Sequence, residues 1–172
     1  MIQDAATHEQ CIGMALLKDG WEDEYEQAPP IHPIGCVGRI ISSHKLSDGR
    51  YNIVLQGLYR CSYEEQTVMT NYRQARITPH IPETSPSLTS DVRRHLEQTA
   101  QDYLTSKKAN ELCDIIGSAN LTDPILVHNL SAGLDLSPLE KQFLLESDDL
   151  TQQARRLIDL IRFKLADLQT QG

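Results

Sequence analysis

The sequence predicts an α+β fold with a β-rich first half and a helical second half. Around an Asp48-Gly49 turn, apolar and polar residues alternate from Gly35 to Arg60, as in a β-hairpin. Beyond residue 90 the apolar period changes from two to about 3.6, which is typical of amphipathic helices. Residues 78–90 hold three prolines and a cluster of Ser and Thr, which stop strands and helices alike. We therefore expect two subdomains, residues 1–82 and residues 88–172.

In the β-rich half, the apolar run from Cys11 to Leu17 predicts a buried strand, and the turn residues Lys18-Asp19-Gly20 follow it. Next comes an acidic stretch, residues 21–30, with two prolines and the chain's only tryptophan. The hairpin follows, because Gly49 supplies the left-handed backbone that its short turn needs. Two further strands are expected over residues 61–69 and 72–77.

The helical half begins with a helix that Thr89 or Ser90 can cap. Its apolar residues recur on one face: Val92, Leu96, Ala100 and Tyr103. A second helix is expected over residues 107–116.

The remaining helices carry explicit start signals. Thr122-Asp123-Pro124 supplies a cap and a proline for a helix expected to end at about Leu130. Ser137-Pro138-Leu139-Glu140 is a capping box, in which the serine and the glutamate each bond to the other's backbone amide. Asp148 and Asp149 favour a last helix start through the helix dipole, and an apolar stripe follows over about five turns.

Three stretches, taken in order, carry a resemblance to a known family. The first is the hairpin, with Gly35-Cys36-Val37-Gly38-Arg39-Ile40, Asp48-Gly49-Arg50-Tyr51 and Gly57-Leu58-Tyr59-Arg60. The second is Tyr72-Arg73-Gln74-Ala75-Arg76-Ile77, and the third is Asp123-Pro124 leading to the segment 136–146. Together they resemble the Lon protease substrate-binding (N-terminal) domain family over nearly all of the chain.

This resemblance implies a PUA-like β-rich subdomain, residues 1–82, followed by an α-helical subdomain, residues 88–172. It implies binding of protein substrates and no chemistry. In the family, strands precede the point where this chain begins, and residues 1–5 look like the helix after them. We therefore expect a β-rich subdomain that is short at its N-terminus and has an open sheet edge, which proteins normally cover or charge.

Composition narrows the classes of partner and compartment. The 172 residues carry a net charge of −8, and both halves are acidic. Because phosphate binding needs clustered Lys and Arg, nucleic acid is an unlikely partner class. No apolar run is long enough to cross a membrane, and the N-terminus has no signal-peptide pattern. These observations predict a cytoplasmic protein that does not bind membranes.

Catalytic and metal-binding motifs are missing from the sequence. It contains no Gly-Lys dipeptide, hence no phosphate-binding loop, and no Gly-x-Ser-x-Gly elbow. The six histidines lack metal-ligand spacing, and the cysteines form no Cys-x-x-Cys pair. Three of the cysteines, Cys11, Cys36 and Cys61, lie in strand-like runs and are expected to be buried reduced thiols. The sequence therefore predicts a protein that is not an enzyme, with no catalytic residue, metal or cofactor.

Four side chains are candidate contacts with a protein substrate. Trp21, Tyr25 and Met69 are large apolar residues expected near loops, where such groups often mark binding surfaces. Arg39 lies inside an apolar strand, where a charge is costly unless it is paired or exposed. The structural alternatives are that Trp21 folds back onto the sheet and that Arg39 points to solvent.

The predicted function is a non-catalytic protein-interaction module of the Lon substrate-binding type. Its partners would be unfolded or tagged proteins, which can offer backbone groups to an edge strand, and a protease complex is a further candidate partner. The alternative is a PUA-like module for a small ligand or RNA, in which four arginines converge on one sheet face: Arg39, Arg60, Arg73 and Arg76. Steeply salt-dependent binding would favour this alternative.

Overall fold

A computed structural model describes residues 1–7, 9–24, 28–67, 70–107 and 121–170. The chain divides into two compact units, Met1–Ile81 and Pro82–Gly172. The helix expected over residues 107–116 and Cys113 lie outside the described residues, apart from Lys107. The α+β prediction is confirmed, with a sheet in the first unit and helices in the second.

The first unit is built on an antiparallel sheet with the strand order β1-β2-β3-β4. Its elements are α1 (Ile2–Thr7), β1 (Cys11–Met14), α2 (Trp21–Glu24), β2 (Ile34–Lys45), β3 (Tyr51–Gln66) and β4 (Gln74–Pro79). Within the part of the chain that the structure describes, β1 and β4 are therefore the two edges of the sheet.

The predicted hairpin is confirmed as the β2–β3 pair. Its turn contains Gly49 with φ +89°, and the Asp48 carboxylate accepts a hydrogen bond from the Arg50 amide at 3.0 Å. The register shifts between Val37 and Gly38 and again between Ile40 and Ser42. Each shift is a bulge, which bends and twists the strands.

The strands on either side of the hairpin differ from the sequence prediction. The separate strand expected from residue 61 is wrong, because β3 runs without a break to Gln66. Its Glu64 and Glu65, which weakened the sequence pattern, form ion pairs with Arg76 and Arg73. The buried strand expected from Cys11 is also wrong, since β1 is short and only half-buried at the sheet edge.

The second unit contains α3 (Ser90–Ser106), α4 (Asp123–Gly133), α5 (Pro138–Leu145) and α6 (Leu150–Thr170). Helices α3, α4 and α5 all pack on α6. The buried core comprises Leu96, Ala100, Tyr103 and Leu104 of α3, Leu126, Val127 and Leu130 of α4, Leu144 of α5, and Leu150, Ala154, Leu157, Ile158 and Ile161 of α6. The apolar stripes predicted for the first and last helices of the helical half, which are α3 and α6, therefore face this core.

The helix starts lie at the predicted positions, although Thr122, which precedes α4, makes no side-chain capping hydrogen bond. The Thr89 hydroxyl accepts a hydrogen bond from the Val92 amide at 3.4 Å. In the capping box, the Ser137 amide donates to the Glu140 carboxylate at 2.6 Å, and the Glu140 amide donates to the Ser137 hydroxyl at 3.2 Å. Helix α4 continues past the expected end at Leu130 to Gly133, and within it the Ser131 hydroxyl donates to the Val127 carbonyl at 2.7 Å.

Among the helices that the structure describes, none is both long and apolar enough to span a bilayer.

Candidate functional site

A groove of about 830 Å³ lies on one face of the β-rich unit. Both edges of the sheet contribute to it, and α1 contributes to its rim. The edge-strand residues that line it are Cys11, Ile12, Gly13, Gln74, Ala75 and Ile77. A groove with strand edges along its sides can offer backbone hydrogen-bonding groups as well as side chains.

The floor of the groove is built around Tyr63 of β3, with buried Val37 beside it. The Tyr63 ring lies against Gly13 and Gly35: an added Cβ would collide with it at Gly35 and would be crowded by it at Gly13. Its hydroxyl donates to the carbonyl oxygens of Cys36, at 2.7 Å, and Met14, at 3.1 Å. Burial raises the pKa of Tyr63 above its ordinary value, so the hydroxyl stays a donor and ties β3 to β2 and β1.

Charges on the rim are mostly paired. The Arg73 guanidinium makes two parallel hydrogen bonds of 2.6 Å to Glu65 and a third of 2.7 Å to the Pro29 carbonyl. Asp4 lies 3.4 Å from the amino group of Met1. Glu9 is exposed on the rim, and the described part of the chain shows no cation paired with it. The rim therefore has an excess of negative charge.

The sequence-predicted contacts lie elsewhere in the unit or outside the described residues. Trp21 is in α2 with 36% of its surface exposed. Arg39 is an exposed residue of β2, opposite Cys11 of β1, so it points to solvent. Neither Trp21 nor Arg39 lines the groove. Tyr25 and Met69 lie outside the described residues.

The four arginines of the alternative prediction do not converge. Arg73 pairs with Glu65, whereas Arg76 lies 4.0 Å from Glu64. Because neighbouring side chains of a strand point to opposite faces, Glu64 and Glu65 hold these two arginines on opposite faces of the sheet. The positive charges of Arg73 and Arg76 are also offset by carboxylates. These two arginines therefore do not form the cationic cluster that RNA or an anionic ligand would need.

The thiols near the groove differ in exposure. Cys61 is buried, as predicted, but Cys11, in the edge strand β1, and Cys36, in β2, are only half-buried. All three are free thiols. Burial raises the pKa of Cys36 and of Cys61, so these two thiols stay protonated and unreactive near neutral pH.

Two other arrangements of polar side chains lack the groups that catalysis or metal binding would need. The Ser62 hydroxyl lies 2.6 Å from Nε2 of His80, but the hydrogen bonds of the described residues give this imidazole no carboxylate to orient it as in a catalytic triad. No group of three or more His, Cys, Asp or Glu side chains that could hold a metal ion occurs within the described ranges.

Sequence reasoning missed the groove, because its residues are chemically ordinary and far apart in the chain. A usable signal was the pair of strand glycines, Gly13 and Gly35, since glycine inside a strand often marks the close approach of another group. Here that group is the ring of Tyr63.

The fold and the groove define a class of protein: an α+β domain in which an antiparallel sheet unit with a concave face precedes a helical unit. The model of the family described as ATP-dependent protease La (LON) substrate-binding domain matches residues 1–162. The chain therefore belongs to this family, and the matched region is the substrate-binding domain alone.

Curated relatives and solved structures agree with this assignment. Lon protease 2 of Myxococcus xanthus is 26% identical over 174 residues, which cover 95% of this chain and 20% of the relative. The Lon protease of Heliobacterium modesticaldum is 24% identical over 170 residues, 98% of this chain and 21% of the relative. The chain thus spans about a fifth of the length of the curated relatives it matches.

Two solved structures share the fold. The N-terminal domain of Mycobacterium avium complex Lon protease superposes with a TM-score of 0.59 and 20% identity, covering 88% of this chain and 89% of that one. The Lon N-terminal domain protein from Xanthomonas campestris gives a TM-score of 0.62 and 20% identity, covering 94% of this chain and 80% of that one.

Proposed function

We propose that this chain is a protein-interaction module that recognises unfolded or tagged polypeptides and binds an extended segment of them in the groove. The observation that carries the proposal is the groove itself, which combines an apolar floor with two strand edges. Unfolded chains expose the apolar side chains and free backbone groups that such a surface binds. Membership of a substrate-binding family supports the same role.

Within this proposal, the module acts as an adaptor for a protease complex or as a competitor for its substrates. Trp21 and Arg39 are proposed as further contacts outside the groove, and Tyr25 and Met69 are proposed as further contacts as well. The exposure of Trp21 and Arg39 supports a role at the surface, where a longer polypeptide would continue beyond the groove.

The test is to titrate the chain with a reduced, carboxymethylated and fluorescently labelled unfolded protein. The decisive variant is Ala75→Glu, because Ala75 is exposed and lines the groove. The matched control is Thr78→Glu, which adds the same charge to the same strand at an exposed position outside the groove. We expect Ala75→Glu to weaken binding at least about fivefold and Thr78→Glu to change it less than about twofold.

Equal effects of the two variants would contradict the groove as the binding site. Trp21→Ala tests the outer contact separately, and we expect a loss of about twofold to fivefold. Tighter binding to RNA than to unfolded protein, with a steep salt dependence, would contradict the proposed function as a whole.

A further inference from the structure

Among the residues that the structure describes, no strand pairs with the side of β4 that faces away from β3, and this open side lies next to the groove. The His80 amide donates to the Arg60 carbonyl at 2.8 Å. In an antiparallel pair of strands, hydrogen-bonded residue pairs alternate with non-hydrogen-bonded pairs. Starting from Arg60 and His80, the hydrogen-bonded pairs of β3 and β4 are therefore Ser62–Thr78, Glu64–Arg76 and Gln66–Gln74. Ala75 and Ile77 fall between these pairs, so their N–H and C=O groups point away from β3.

The side chains of Ala75 and Ile77 line the groove. Ala75 and Ile77 thus direct their backbone N–H and C=O groups to the open side of β4 and their side chains to the groove. The next outward position along β4 is Pro79, which has no N–H to offer. The usable edge therefore ends just before Pro79.

The size of the groove matches a short strand. A residue in a packed sheet takes about 160 Å³, from about 3.3 Å of rise, about 4.8 Å between strands and about 10 Å between layers. The groove of about 830 Å³ therefore accommodates about five extended residues. Strand β4 itself has 6 residues, so an added strand of this length could pair along most of it.

The charge of the rim selects among extended segments. Asp4 lies beside the amino group of Met1 and Glu65 holds the cation of Arg73, so among the described rim residues Glu9 supplies the excess negative charge. A segment with basic residues beside its apolar core would be attracted to this rim, and an acidic segment would be repelled.

We propose that the groove takes an extended apolar segment of about five residues with basic flanks, which adds to β4 as an antiparallel fifth strand. This inference rests on the proposed function and names the class of segment and its mode of binding. When a segment adds to β4 in the antiparallel direction, some of its side chains enter the groove. The residues that carry these side chains donate their backbone N–H groups to the carbonyl oxygens of Ala75 and Ile77.

The test uses the full chain and the labelled peptide Lys-Lys-Val-Thr-Val-Thr-Val-Lys-Lys, whose valines suit the groove. One isomer carries N-methyl groups on the first two valines and the other carries them on the two threonines. We expect the valine-methylated peptide to bind at least about tenfold more weakly than the parent, because it cannot donate to β4. The threonine-methylated peptide should bind within about twofold of the parent.

Equal affinities of the two isomers would overturn strand addition. If the parent peptide nevertheless displaces the unfolded protein, the proposed function stands and only the mode of binding fails. Failure of the parent peptide to bind while the unfolded protein still binds would overturn this inference and leave the proposed function standing, whereas failure of both to bind would contradict the proposed function.

Two further arms test the charge and the occupant. A peptide with Glu in place of the flanking Lys should bind at least about fivefold more weakly, and Glu9→Gln should reduce this preference. Retention of the full preference in Glu9→Gln would overturn the role of the rim. Sedimentation of the chain alone should show no association through β4, and a dimer that Ala75→Glu disperses would assign the edge to a second copy instead.

Discussion

Replacing Gly35 with alanine tests the packing that forms the groove floor. The added Cβ would lie 2.4 Å from the carbonyl oxygen of Met14 and 2.4 Å from the ring of Tyr63. Both distances are far inside van der Waals contact. The Met14 carbonyl belongs to β1, which pairs with β2, so it cannot retreat without loosening the edge of the sheet.

The expected cost follows from these two contacts. Overpacking a well-filled site typically costs about 1–3 kcal/mol. Because one of the two clashing atoms is backbone, we expect Gly35→Ala to lower the free energy of unfolding of the β-rich unit by about 3 kcal/mol or more. The matched control is Gly57→Ala in β3, where an added Cβ meets no atom within 4 Å, and we expect a change within about 0.5 kcal/mol.

Urea unfolding monitored by tryptophan fluorescence is a suitable assay. The chain has one tryptophan, Trp21, which lies in the β-rich unit, so its emission reports on this unit. Unfolding of Gly35→Ala at the same urea concentration as the parent chain would refute the packing argument. An equal loss in Gly57→Ala would do so as well.

Tyr63→Phe keeps the ring but removes the hydrogen bonds to Cys36 and Met14, and should cost about 1–2 kcal/mol in the same assay. Because burial raises the pKa of Tyr63, its contribution is complete below about pH 10 and falls as pH rises above that value; an unchanged alkaline loss in Tyr63→Phe would contradict this. Ser137→Ala removes the cap of α5 and should cost about 1 kcal/mol by circular dichroism. Ser137→Asp should retain the cap, and equal losses in both variants would show that it contributes nothing.

Local signals in the sequence identified the elements whose structure depends on neighbouring residues. Asp48-Gly49 specified the hairpin turn, and Ser137 with Glu140 specified a helix start, because each acts through backbone geometry within a few residues. The apolar stripe of the last helix likewise predicted which face enters the core. These parts of the fold could be read without knowing any long-range contact.

The pairing of residues that are far apart in the chain could not be predicted in the same way. The sequence predicted a separate strand from residue 61, yet β3 runs without a break through this point because its second half pairs with β4. The groove depends on the same kind of information, since Gly13, Gly35 and Tyr63 meet only once the strands are paired. Of the four predicted contact residues, Trp21 and Arg39 are at the surface but outside the groove.

The half-buried Cys11 lies in the wall of the groove, and this placement offers a native handle for covalent capture. A ligand carrying an activated disulfide would form a mixed disulfide at Cys11 fastest when it dwells in the groove, while Cys61 is buried and the raised pKa of half-buried Cys36 keeps that thiol protonated. With Cys113 replaced by serine, the tethered species would reveal by mass which sequences from a library remain longest beside this thiol.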